Sequence, residues 1–174
     1  TDRVRPAESL KTESIVSEYN RTGERIRLIN YSGHTAVSEE VYNQYKEPQD
    51  IQEKDILFVN DGTFLIGRTA MITKLDTKVI IQSHVKKIRV LDKTFIDPYY
   101  LFYLLNSKVV RKQIDSRIFV QATISTIGNR LRELILPISC DQNEVKKITN
   151  EIRSIIDEKA ELREKTVKIV EGSI

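Results

Sequence analysis

Asp97, Pro98, Tyr99 and Tyr100 stand in a row, and an Asp-Pro-aromatic run can do chemistry on a nucleic-acid base. On a loop stiffened by proline, a carboxylate and neighbouring carbonyls would hold the exocyclic amino group of an extruded base while an aromatic ring stacks on it. A second set is Asp61 with Asp76-Thr77-Lys78. Spaced carboxylates and a lysine are what a metal-dependent nuclease uses to hold Mg2+ and activate water. Metal ligation by softer donors finds little support, because Cys140 is alone and neither His34 nor His84 has a Cys or carboxylate at ligand spacing.

The elements that would have to position these groups point elsewhere. Asp97 suits an N-cap, Pro98 suits the first helical position, and Leu101, Leu104 and Leu105 recur at helical spacing. DPYYLFYLLNS therefore reads as a helix start. An adenine-N6 methylase box has a second proline where Tyr99 stands, and the Gly-rich Phe-x-Gly-x-Gly turn for a methyl donor occurs nowhere in the chain. Asp61-Gly62 and Asp76-Thr77 read as hairpin turns, whereas a nuclease keeps its second carboxylate and lysine on a central strand. The expectation is a chain with no catalytic residue, metal or cofactor of its own.

Along the chain, ESLKTESIVSEY suggests a short helix and RIRLIN a strand; YSGHTAVSEE follows as a turn and a possible second short strand, and the polar NQYKEPQDIQ (44–53), with Pro48, reads as loop. The centre is rich in strand signals at hairpin-like spacing: DILFVN (55–60), TFLIGRTAMIT (63–73), KVIIQ (78–82) and HVKKIRVL (84–91). In DILFVN, Asp55 opens a buried strand; Gly62 then suits a tight turn and Gly67 a close backbone approach. SKVVRKQI continues the helical signal after the DPYY helix, and RIFVQATIS reads as strand.

From Asn143 to Val170 the pattern becomes a heptad. Val145, Ile148, Ile152, Ile155, Leu162 and Ile169 occupy a and d positions, with Lys159 and Thr166 at the remaining a positions. Such a helix would run about 42 Å. It reads either as a surface helix on its own domain or as half of a coiled coil, and the uniformly aliphatic d positions favour the coiled coil.

Charge is uneven. Residues 55–137 carry 13 basic and 7 acidic side chains, against 8 and 10 in residues 1–54 and 7 and 8 in residues 138–174. A basic centre between near-neutral flanks suits a face that meets a polyanion. No apolar run reaches membrane-spanning length, and the single cysteine fits a reducing compartment, so a cytoplasmic protein is expected. The first residue, Thr1, leads us to expect a piece excised from something longer.

Taken in order, KDILFVNDGTFLIGRTAMIT, VIIQSHVKKIRV, DPYYLFYLLNS and STIGNRLRELILPIS, followed at once by the heptad helix, resemble a target recognition domain. This is the DNA-specificity domain of type I restriction-modification specificity subunits, found also in fused adenine-N6 DNA methyltransferases. The resemblance spans about residues 50–170 and rests on the set, with Leu136-Pro137 at the family's exit into the helix and Asp141-Gln142 near the position of its Glu-Gln pair. It implies an α+β fold: a strand-rich specificity domain over residues 1–137 and a coiled-coil-like helix over 138–174. It further implies double-stranded DNA as ligand and, as partner, a methyltransferase modification subunit, a fused methylase domain or a second copy met through the helix. With one recognition domain and one helix, the chain departs from a whole specificity subunit, which has two of each. The alternatives are a metal-dependent nuclease domain and a helical interaction module that does not bind DNA.

Base readout varies across that family, so contacts are nominated from residue type. For phosphate these are Arg68, Lys74, Lys78, Lys86, Lys87, Arg117 and Arg130, basic side chains at strand ends and turns of the positive segment. For base edges they are Gln82, His84, Gln121, Thr123 and Asn129, whose amides, hydroxyl and imidazole suit groove edges. For the partner helix they are Ile148, Ile152, Ile155, Leu162 and Ile169.

Overall fold

A computed structural model describes residues 38–62, 65–76, 78–121 and 124–171. The helix and strand expected before residue 38 lie outside them, as does Thr123. Among the described residues the fold is α+β, with two small antiparallel sheets, three shorter helices and one long C-terminal helix. Among the described residues no helix is long and apolar enough to cross a membrane.

The first helix, α1 (Glu39–Gln49), runs through the stretch expected as loop. Ser38 caps it by accepting from Val41 N at 3.3 Å, and Glu39 and Glu40 occupy its first turn with Lys46 in its last. Capping and helix-dipole charges therefore agree. Pro48 lies in the last turn; the helix ends at Gln49, and Asp50 follows as its cap in a left-handed conformation.

β1 (Ile56–Val59) is the middle strand of the first sheet, flanked by β3 (Thr69–Met71) and β4 (Val85–Ile88) in the order β3-β1-β4. Its central position explains why Ile56, Leu57 and Phe58 are buried in succession instead of alternating. The core joins Ile56 and Phe58 to Ile66, Leu101, Leu105, Val110, Ile114 and Ile127. Each such side chain contributes roughly 1.5–3 kcal/mol by leaving water.

Three expectations for the central segment need correction. Asp61-Gly62 is not a hairpin turn but β2, which pairs with β6 (Ile124–Thr126); β6 pairs in turn with β5 (Phe119–Gln121) to make the second sheet. Residues 78–82 form no strand, because both backbone hydrogen bonds of Ile81 go to one side chain: Ile81 N donates to Gln49 Oε1 and Gln49 Nε2 donates to Ile81 O, each at 2.6 Å. An amide on α1 thus replaces a neighbouring strand. The run 63–73 is also shorter as strand than expected, since Gly67 at φ +78° breaks it and only Thr69–Met71 pair.

The DPYY segment is a helix start. α2 (Pro98–Asn106) is capped by Asp97, whose Oδ1 accepts from Tyr99 N at 2.8 Å, and a 3.3 Å ion pair joins Asp97 to Arg153. Tyr99 and Tyr100 are buried, so neither ring is available to stack on a base. α3 (Lys108–Arg117) follows directly and supplies Val110 and Ile114 to the core.

The terminal helix, α4 (Gln142–Glu171), lies along α2. Thr149 and Ala160 are buried and Val145, Ile152 and Ile156 half-buried, so one face is covered by its own domain. Arg153 stacks over Tyr99 at 5.1 Å, and Arg163 pairs with Asp76. The domain therefore holds the distal half as well as the proximal half. The d positions Ile155 and Leu162 stay 52% and 62% exposed, while Ile148 is half-buried and Ile169 exposed.

Candidate nucleic-acid interface

Strand register sorts the nominated residues. β1 ends at Val59, where Phe58 pairs with Thr69 on one side and Val59 with Val85 on the other. Arg68 and His84 therefore enter the first sheet at the same end, beside Asn60 and Asp61. Val59 N donates to Arg68 O at 2.9 Å and Asn60 N to His84 O at 2.8 Å. The second sheet joins here, because Ile127 N donates to Asn60 O at 3.0 Å and Asp61 is in register with Thr126.

Around this end lie most of the nominated readers. Gln82, half-buried, precedes His84 in the turn into β4, with Val85 N donating to Gln82 O at 3.0 Å. His84 Nδ1 lies in hydrogen-bonding contact with Asp61 Oδ1. Lys86 reaches across to donate to Gly128 O at 2.9 Å. Gly128 opens a 3-10 turn (Gly128–Glu133) on which Asn129 and Arg130 are exposed. The Arg130 guanidinium lies 4.4 Å from the centre of the Phe119 ring, and its Nη1 donates to Arg117 O at 3.4 Å. Arg117 donates to Gln113 O at 3.1 Å and Glu133 O at 3.3 Å. Gln121 is the last residue of β5, in register with Ile124.

Arg111, on α3, was read only as part of a helix. It donates to Gly67 O and, at 3.4 Å, to Ile66 O, while Arg68 stands close by. Burial, and then the Arg68 charge, lower the pKa of its guanidinium, with Asp115 opposing. A cation poorly solvated and next to another cation gains by meeting an anion. Gly67 makes the approach possible, since a Cβ there would sit 2.6 Å from both Arg111 Nη1 and Ile114 Cγ2.

Other nominated cations are not brought here. Lys87 donates to Gln49 O at 2.6 Å and Asp50 O at 2.9 Å, which closes the end of α1. Lys78 pairs with Glu39 at 3.2 Å and lies over Tyr42 at 5.5 Å. Lys74 follows β3 at the opposite end of the first sheet. The two carboxylates of the nuclease alternative are parted in the same way. Asp61 follows the end of β1 at Val59, whereas Asp76 lies beyond β3's end at Met71, accepts from Thr73 Oγ1 at 2.6 Å and pairs with Arg163. Among the described residues, no three His, Cys, Asp or Glu side chains are grouped to hold a metal ion.

Asn60 was not nominated, and Asp61 was weighed only as a carboxylate of the nuclease alternative, because Asp-Gly is a turn signal when read locally. Phe119 carried a detectable signal, an aromatic in a basic segment eleven residues before Arg130. No protein-family model, curated protein or solved structure matches this chain.

Proposed function

We propose that this chain is the sequence-specific DNA-binding, target-recognition part of a bacterial restriction-modification system, working in the cytoplasm to direct an adenine-N6 methyltransferase and its associated nuclease to their site. The observation that carries the reading is the gathering of Arg68, Arg111, His84, Asn129 and Arg130 around one end of the first sheet. Cations there supply phosphate contacts, and amide and imidazole groups among them supply base contacts. The order of sequence motifs and the long terminal helix support the same reading. The chain itself performs no chemistry in this account; Asp97 is occupied as a cap and both neighbouring tyrosines are buried.

Titration of a labelled duplex at several salt concentrations tests it. Affinity falls steeply with salt, and Arg68→Gln lowers the slope of log affinity against log salt by about one unit. Binding that is insensitive to salt, or a slope unchanged by Arg68→Gln and Arg130→Gln alike, rejects this face.

The exposed Ile155 and Leu162 serve as the docking seam for the methyltransferase's own long helix or for a second copy. Ile155→Asp with Leu162→Asp leaves the domain folded by circular dichroism and abolishes association in sedimentation, because carboxylates buried at that contact would be unpaired. Unfolding of the domain by this pair rejects the docking account.

A further inference from the structure

The geometry points to a specificity device in the Asp61–His84 pair: Asp61 fixes the proton on His84 Nδ1, so that Nε2 accepts a hydrogen bond from an amino-bearing base edge. This rests on the DNA-binding reading above and adds to it a residue pair, its hydrogen-bond polarity and the base class it takes.

An ionised carboxylate offers only acceptors, so the contact between His84 Nδ1 and Asp61 Oδ1 places the hydrogen on Nδ1. In a neutral ring that leaves Nε2 with a lone pair and no hydrogen. The His84 side chain is 46% exposed against 24% for Asp61, and among the described residues nothing bonds Nε2. The carboxylate is the inner member of the pair and the imidazole the outer one.

Asp61 is itself held on strands. It is in register with Thr126. Its second oxygen lies 3.5 Å from Asn60 Nδ2, and the Asn60 amide also donates to Thr126 Oγ1 at 3.4 Å. Asn60 is 6% exposed and its backbone bonds both sheets. A reader carried on such a frame keeps its direction better than one on a free loop. Of the nearby cations, Lys86 is held by Gly128 O, and Arg130 rests on Phe119 and donates to Arg117 O, so neither of these bonds is made to the imidazole.

In the major groove, adenine N6 and cytosine N4 are donors that an acceptor Nε2 can take, whereas guanine and thymine present acceptors at the equivalent edges. Asp61→Asn preserves the shape but supplies an amide N–H that can donate to Nδ1, which moves the ring proton to Nε2. The outer nitrogen then becomes a donor. A carboxylate-to-amide change of this kind yields the wrong histidine tautomer in the Ser-His-Asp hydrolases.

Two measurements on the whole chain test the inference. Imidazole 15N shifts, assigned with His84→Gln because His34 is the chain's other histidine, are expected to show a neutral Nδ1–H ring at the pH of binding and an Nε2–H ring in Asp61→Asn. An imidazolium or an Nε2–H ring in the unsubstituted protein overturns the proposal without reference to DNA. Selection from a randomised duplex library is then expected to show one strand position at which adenine or cytosine is preferred over guanine or thymine. His84→Phe, whose ring has no hydrogen-bonding atom, loses that preference by roughly 5- to 100-fold, and Asp61→Asn moves it to guanine or thymine. Duplex binding with the same base preference in all three proteins overturns the inference and leaves the DNA-binding reading standing. Absence of salt-dependent duplex binding by the unsubstituted chain overturns both.

Discussion

The two ends of the first sheet use the same chemistry to different effect. At the Ile56 end, Asp55 is 1% exposed and accepts from Arg89 Nε and Nη2, both at 2.7 Å, and from Gln52 N at 2.8 Å. Arg89 also holds Asp50 at 2.6 Å. Its pKa is raised, chiefly by the Asp55 hydrogen bonds. At the Val59 end, Asp61 meets the imidazole of His84 and, at 3.5 Å, the Asn60 amide, and Arg68, Asn129 and Arg130 are exposed to solvent. One end has spent its charges internally and the other has kept them outward. A carboxylate–cation pair by itself therefore says little about function; its burial and the number of bonds already made do.

Substitutions sharpen or break this contrast, the largest at the closed end. Arg89→Met strands a buried carboxylate and is expected to cost about 3–5 kcal/mol, read as the urea midpoint, whereas His84→Gln at the open end changes stability by less than about 0.5 kcal/mol. Equal losses would erase the distinction. Gly67→Ala comes next, at on the order of 1–3 kcal/mol, because a left-handed residue acquires a Cβ against Arg111 and Ile114; DNA affinity is expected to fall with it as Arg111 is displaced. The smallest effect belongs to Asp50, whose carboxyl is held below its ordinary 3.8, first by the Arg89 hydrogen bond and then by Gln52. A lowered pKa means stability that is present above the unfolded value and lost as pH falls through the folded one. The difference in unfolding midpoint between the unsubstituted chain and Asp50→Asn is thus greatest near neutral pH and shrinks on acidification. A constant difference would show that the bond does not involve the ionised carboxylate.

How far the sequence was legible follows the range over which its signals act. Asp97, Pro98 and the three leucines of α2 lie within one short helix, and local rules place that helix correctly. β1 and α4 were legible for the same reason. KVIIQ was misread because β-branched residues favour a strand wherever a neighbour exists, and here the neighbour is a side chain 32 residues away. The site shows the same limit. Residue type located the cations of the central segment, but only the fold reveals that Lys87 is committed to carbonyls at the end of α1, or that Asp61 reaches His84 across 23 residues.

The anchors along α4 have a geometric consequence. Arg153 on Asp97, buried Ala160 and Arg163 on Asp76 fix the helix about its own axis, and Ile155 and Leu162 lie roughly 130–150° round from the mean direction of those anchors, at roughly 100° per residue. The outer stripe therefore has a set azimuth relative to the Val59 end of the sheet. Under the proposed function, whatever seats on it would inherit a bearing toward the bound duplex. One alanine inserted after Ala160 would swing every later side chain by about 100° and advance it about 1.5 Å, leaving Leu162 and Arg163 out of phase with Ile155 and Asp76 while altering no residue of the proposed DNA face. On that proposal α4 would work as a goniometer, converting the rotational phase of one helix into the angle at which an enzyme is presented to its target.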